Sequence, residues 1–421
     1  MTEDVQRAIE AVWRIESARL IGGLVRMVRD LSLAEDLAQE ALIAALASWS
    51  ETGIPDNPGA WLMATAKNRA LDGIRRQRMQ TRRHDEIGRS QVNEHTPDIV
   101  ATFDEDVGDD VLRLILISCH PVLPREARVA LTLRLLGGLS TEEIARAFLI
   151  SEPTVAQRIV RAKRTLAEAR VPFEVPHGED LLLRLDSVLE VIYLIFNEGY
   201  SATRGDDWIR PELCQDAMRL GRVVAERVAQ YSEAHGLIAL MELQASRFRA
   251  RVDASGQPVL LTQQDRTRWD RLLIRRGLAA LRRAETLAAP LGPYTLQAAI
   301  AACHARARTA DETDWTRIVA LYDALVQVTG SPVVELNRAV AVSMAFGPEA
   351  ALPLVNALHE AGELERYHLL PSVRGELLSR LERFAEARAE FQRAYDMTAN
   401  ERERTVLQER INTCLEKERV T

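Results

Sequence analysis

The sequence predicts an all-α protein: two small helical domains, the second containing a helix-turn-helix, followed by a helical-repeat-like C-terminal part. Three observations predict it. Apolar residues recur at intervals of three and four along most of the chain. Helix starts are marked by side chains suited to cap free backbone amides. The last third repeats itself at a spacing of 33 to 36 residues. At 421 residues the chain is long enough for two or three domains. Hydrophobic residues at 47% and charged residues at 27% describe a globular protein. No apolar run has membrane length and no signal peptide stands at the start, so a cytoplasmic, membrane-free protein is expected. Cys119, Cys214, Cys303 and Cys414 form no CxxC pair. Neither a disulfide framework, a metal site nor a cofactor is expected from them.

In chain order, Val5 to Val28 mixes apolar and charged positions at helical spacing. Ser32 and Glu35 have the spacing of a capping box and predict a helix through Asp36, Gln39, Glu40, Leu42, Ile43, Leu46 and Trp49. Its acidic first turns are what a helix dipole favours in any case. The segment Glu51 to Gly59 is dense in turn-formers. A helix resumes over Ala60 to Arg76, containing Trp61, Leu62, Ala66, Ala70, Leu71 and Ile74. Between Lys67 and Arg83 stand seven cations, with Asp72 the lone acid. On a chain of net charge −7 that is a local basic patch. Phosphate neutralisation supplies most non-specific DNA affinity, so a DNA-binding role for this chain calls for local charge and a partner.

The stretch Leu139 to Leu166 is the most specific signal. Ser140 and Glu143 form a capping box, and Ser151 is a second N-cap with Pro153 in the first turn. Val155, Ile159, Ala162 and Leu166 make an apolar stripe, which leaves Thr154, Gln157, Arg161 and Arg164 on the far side and Arg158 on its flank. Two short helices, a tight turn and a cationic free face are the pattern of a helix-turn-helix for the major groove. An αα-hairpin with a solvated basic face would carry the same pattern.

Taken together, the residues resemble a family. Asp36-Leu37-Ala38-Gln39-Glu40, the Pro-rich loop, Trp61-Leu62 and Ala66 to Arg76 look like domain 2 of the bacterial extracytoplasmic-function sigma factors, and Leu139 to Leu166 resembles their domain 4. The resemblance implies core RNA polymerase and promoter DNA as partners. It places Asp36, Gln39 and Glu40 against the polymerase clamp, acid against a basic surface. Trp61, Lys67, Asn68, Arg69, Arg75 and Arg76 would meet the opened −10 element, where a pocket holds an unstacked base and cations track the backbone. Thr154, Gln157, Arg158, Arg161 and Arg164 would sit in the −35 major groove. One residue departs: Leu149 lies where such turns often have Gly.

The domains expected on this basis are 1–83, an acidic linker 84–110, 111–171 and an extension 179–421. Asp104, Glu105, Asp106, Asp109 and Asp110 give the linker its charge, and Pro172 to Gly178 reads as the boundary before the extension. The polar stretch Asn197 to Asp207 reads as a capping loop rather than a catalytic one, and no enzyme is expected. In the extension, Gly375, Leu378, Ala387, Phe391 and Ala394 fall at the small and aromatic positions of a tetratricopeptide unit. Ala351, Val355 and Leu358 precede the second group by 36 residues, and Ile318, Tyr322 and Leu325 lie a further 33 back. Such a solenoid suits a protein partner, or an intramolecular contact with the sigma domains. No cationic helix comparable to Ala60 to Arg83 is expected in it. Two functions remain: a sigma factor whose extension modulates activity, and a conventional helix-turn-helix regulator with a protein-interaction domain.

Overall fold

The computed structural model describes residues 3–85, 107–148, 150–176, 178–200, 210–253, 259–287, 290–365, 367–398 and 401–419. Among them are eighteen α-helices and no extended strand. Two compact units divide the chain, Met1–Arg227 and Val228–Thr421.

The first unit opens with α1 (Glu3–Val28), α2 (Leu31–Thr52) and α3 (Pro58–Asp85), packed on one another. The expected capping box at α2 does not form. Asp30, one position before the helix, takes the cap, its Oδ1 accepting from the Leu33 amide at 2.9 Å. Ser32 therefore lies inside the first turn, and Glu35 is drawn elsewhere, as described below. Asn57 caps α3 through the Ala60 amide at 3.0 Å, so the helix starts earlier than expected and continues past Arg76.

The linker is also shorter at its end than the composition implies. α4 (Val107–Ser118) already contains Asp110, which is buried and pairs with Arg113 at 2.6 Å and Arg26 of α1 at 3.5 Å. α1 approaches α4 so closely that a Cβ on Gly22 would lie 2.6 Å from the Asp110 carbonyl oxygen. Asp104, Glu105 and Asp106 lie outside the described residues, as does Leu149.

α5 (Arg125–Leu135), α6 (Thr141–Phe148) and α7 (Glu152–Glu168) follow, then α8 (Gly178–Tyr200) and α9 (Pro211–Arg227). The division of the chain falls after α9 and not at Pro172 to Gly178. The reason is packing: α8 buries Leu185, Val188, Ile192, Ile195 and Phe196, and it contacts α4, α5 and α9. Ser187 Oγ donates to the Cys119 carbonyl at 2.6 Å, and Arg184 donates to the Leu116 carbonyl at 3.0 Å. Arg128 pairs with Glu190 at 3.1 Å, and Arg219 of α9 donates to the Leu136 carbonyl at 2.8 Å. Of the stretch Asn197 to Asp207, the part up to Tyr200 continues α8 and the rest lies outside the described residues.

The second unit comprises α10 (Ser232–Ala245), α11 (Arg271–Leu287), α12 (Pro293–Arg306), α13 (Trp315–Thr329), α14 (Pro332–Phe346), α15 (Pro348–Ala361), α16 (Leu369–Arg380), α17 (Phe384–Met397) and α18 (Glu401–Glu418). From α12 onward each helix packs on the next, and one apolar core runs through the stack. The repeat positions fall on α13, α15, α16 and α17: Ile318, Leu325, Ala351, Val355, Leu358, Gly375, Leu378, Ala387, Phe391 and Ala394 are buried and Tyr322 is half-buried. Contrary to expectation, this unit does contain a cationic helix. α11 carries Arg271, Arg275, Arg276, Arg282 and Arg283 against Glu285 alone.

Candidate nucleic-acid and polymerase interface

The helix-turn-helix is built by its caps. The Glu143 amide donates to Ser140 Oγ at 3.1 Å while Glu143 Oε2 accepts from the Ser140 amide at 2.8 Å, a complete capping box. Glu143 Oε1 also pairs with Arg14 of α1 at 2.9 Å. Ser151 caps α7, accepting from the Thr154 amide at 3.3 Å. With those starts fixed, Val155, Ile159, Ala162 and Leu166 are buried, and Gln157, Arg161 and Arg164 are exposed on the opposite face. Arg164 Nε donates to Glu168 Oε1 at 2.7 Å, a hydrogen bond that holds its pKa above the ordinary value. The Thr154 hydroxyl is half-buried, 2.7 Å from Ser151 Oγ. Arg158 leaves this face; half-buried, it lines a cavity of about 180 Å³ with Glu126, Phe148, Leu194 and Glu198. Val160, 64% exposed, joins the free face. It was absent from the sequence-derived set, although an apolar residue off the helical stripe was a visible signal.

On α3, Leu62, Ala66 and Ala70 are buried and Asn68 is exposed. Trp61 is half-buried and packs edge-on to Trp49, ring centres 5.2 Å apart. Lys67 is half-buried, and Arg69 pairs with Glu40 of α2 at 3.0 Å. Arg75 and Arg76 lie on the helix, but their side chains are outside the described residues.

On α2, Asp36 and Glu40 are exposed together with Leu33 (46%) and Ile43 (64%). At 100° per residue these four share one side, an exposed acidic and apolar face on which Glu40 pairs with Arg69 of α3. Gln39 instead turns inward, donating to Glu35 Oε1 at 3.0 Å. Glu35 is the centre of a buried cluster: Arg134 of α5 donates to its Oε1 at 2.8 Å, and Lys163 of α7 pairs with its Oε2. Burial would raise the pKa of this carboxyl, yet Lys163 and then Arg134 hold it below the ordinary glutamate value. Glu35 and Lys163 thus tie the acidic helix to the helix-turn-helix. Neither was a sequence-derived site residue, because their separation along the chain leaves no local pattern.

Among the described residues no group of His, Cys, Asp or Glu is arranged to hold a metal ion. No described helix is long and apolar enough to cross a membrane.

Comparison with known proteins adds an independent set of findings. The family model for sigma-70 region 2 matches residues 14–79, and that for sigma-70 region 4 matches residues 113–166. A family of unknown function, DUF6596, matches residues 184–285. An uncharacterized protein of Rhizobium meliloti (strain 1021) is 45% identical over 381 residues, 90% of this chain and 89% of that protein. The RNA polymerase sigma factor CarQ of Myxococcus xanthus is 33% identical over 39% of this chain and 91% of its own length. The probable ECF RNA polymerase sigma factor SigI of Mycobacterium tuberculosis is 27% identical over 44% of this chain and 67% of its own length.

Proposed function

The chain belongs to the extracytoplasmic-function sigma factors of the sigma-70 family, and on that premise we propose how its surfaces divide the work of promoter recognition. The free face of α7, with Gln157, Arg161 and Arg164, enters the −35 major groove. The single observation that carries this reading is the α7 geometry. A helix fixed by a serine cap and anchored by four buried apolar residues presents cations and an amide on its opposite, solvent-facing side. Arginine there can pair bidentately with guanine or clamp phosphate. Val160 adds a surface for a thymine methyl group. Thr154 takes part from the edge of that face.

α3 meets the −10 element, with Asn68 and the cations at positions 67, 69, 75 and 76 along the strand and Trp61 at its start. The acidic and apolar face of α2, with Asp36 and Glu40 beside Leu33 and Ile43, binds core RNA polymerase, while Gln39 supports it from the inner side through its hydrogen bond to Glu35. Such a mixture of apolar centre and acidic contacts suits a basic partner surface. The role is binding in the cytoplasm rather than catalysis. The extension from α8 onward modulates output through a contact with a protein partner or with the sigma domains.

Run-off transcription with core polymerase on a genomic fragment library tests the whole reading. Transcripts should start at defined promoters only when both proteins are present. Arg161→Ala should weaken holoenzyme binding by about 1–3 kcal/mol on a promoter whose −35 base it reads. An affinity unchanged from that of the wild-type protein on every promoter, native or mutated at −35, would remove Arg161 from the interface.

A further inference from the structure

We propose that α11 of the second unit, with the turn that precedes it, is a further DNA contact that grips the phosphate backbone of promoter-flanking duplex. The buried side of α11 is spent: Ile274, Gly277, Leu281 and Ala284 are covered, with Gly277 set against Leu243 of α10. The opposite side is exposed and reads Arg271, Leu272, Arg275, Arg276, Ala279, Arg282, Arg283 and Thr286. Five of these eight positions are arginine and none is acidic. Glu285 lies on the flank, and among the described residues Arg276 alone of the five has an ion-pair partner, Glu242 at 3.2 Å. Arg249 and Arg268, both exposed, extend the same charge at the helix start, where with Arg271 they line an open cleft of about 700 Å³. Among the described residues that line the cleft the one carboxylate is that of Asp270, and its Oδ1 accepts from the Leu272 and Leu273 amides at 2.8 and 3.1 Å.

A merely solvated surface would intersperse the two signs, as other described helices of this unit do. Arg308 pairs with Glu312, Arg338 with Asp323 and Glu335, Arg383 with Glu386, Arg388 with Glu418 and Arg410 with Glu376. On α11 the charge is left unbalanced in a chain of net charge −7. From Arg271 to Arg283 the helix rises about 18 Å. Duplex DNA carries one phosphate charge per roughly 1.7 Å of its axis, so a straight cationic face of this length meets several phosphates at once. Arginine binds phosphate through a planar fork of donors, though with only three lysines in the chain the choice of arginine carries no weight here. The contact rests on the reading that this chain works at promoter DNA. Once the other domains are bound, the linked α11 face meets the same DNA at high effective concentration. It reads no bases, since phosphate contacts position a protein without carrying sequence information.

The test uses full-length protein with core polymerase. The variants are Arg271→Ala/Arg275→Ala/Arg282→Ala and the matching triple lysine replacement. Promoter affinity is measured against salt on fragments that end at the promoter elements and on fragments extended at either end. On an extended fragment, the alanine triple should lower the slope of log affinity against log salt by about 2–3, at roughly 0.9 per lost phosphate contact. The lysine triple should keep the slope, and on the short fragments all three proteins should agree. A photo-crosslinker at Ala279 should label the flanking DNA. An unchanged slope on every fragment overturns the proposal. So does weaker association of the alanine triple with polymerase in the absence of DNA at unchanged slope, which would assign the face to an acidic protein surface. Absence of any promoter binding by the wild-type holoenzyme would instead count against the sigma reading of the other domains and is separable from both.

Discussion

Glu35 is the residue on which the first unit turns. Its carboxylate is buried, and its two main partners arrive from helices far along the chain: Arg134 of α5 and Lys163 of α7. Removing one member of a buried ion cluster leaves the others uncompensated, at a cost of about 3–5 kcal/mol when all are buried. Arg134 and Lys163 keep 25% and 16% of their side chains exposed, so Glu35→Gln should cost about 3 kcal/mol, the low end of that range. The pH dependence follows from the direction of the pKa shift. The folded value lies below the ordinary 4.5, so between the two the unfolded chain binds more protons. The stabilisation is complete above about 4.5 and is lost as pH falls through the folded value. Denaturant unfolding should therefore show a lower midpoint for Glu35→Gln at pH 7, and a smaller difference from wild type at pH 3. Equal midpoints at pH 7 would show that the cluster adds nothing. None of this was legible in the sequence, where Glu35 reads as half of a capping box. Local spacing cannot reveal partners 99 and 128 residues away, nor that Asp30 had already taken the cap.

At the scale of the element, legibility depended on how far away the deciding contact lay. The caps of α6 and α7 and the buried stripe of α7 were readable because each is closed within a few residues. The repeat in the second unit was readable for a similar reason, since small and aromatic residues complement each other between adjacent helices. Gly375 of α16 shows this directly: a Cβ there would lie 2.9 Å from the Phe391 ring of α17 and 3.2 Å from the Ala387 carbonyl oxygen. Gly375→Val should push the two helices apart and cost about 1–3 kcal/mol, the usual penalty of overpacking. Thermal unfolding of the variant should show a lowered transition, and an unshifted one would mean that the helix pair yields without strain. The start of α4 failed the same reading. An acidic run resembles a solvated linker, but Asp110 is taken up by Arg26 and Arg113, and only the tertiary fold supplies Arg26. α11 is hard to see in the sequence for another reason: the mixed charge of the extension as a whole hides one single-sign helix.

For the whole molecule, the question is where the promoter-reading part ends. Composition places the boundary at Pro172 to Gly178, but α8 and α9 are part of the first unit. A stop codon after Pro176 would remove the donors that satisfy the carbonyl groups of Leu116, Cys119 and Leu136, and would uncover the side of α4 and α5 on which α8 packs. Each buried acceptor left without its donor costs about 1–3 kcal/mol, before any loss of apolar burial is counted. That chain should be poorly soluble, and its transcription would report misfolding rather than the role of the extension. A stop codon after Arg227 keeps α1 to α9 with their own core, and the two truncations should differ sharply in soluble yield. The longer one should start transcripts at the same sites as the full chain, because α3 and α7 are retained and the lost α11 contacts carry no sequence information. The amount of transcript should change, and the change should grow with salt. Losing phosphate contacts matters most where counterions already weaken the complex, so output should fall furthest below that of the full chain at raised ionic strength. Transcript levels and start sites across a salt series, with the proteins matched for soluble amount, decide this. A moved start site would show that the second unit reads bases, and a constant ratio to the full chain at every salt would show that it acts on initiation without touching DNA.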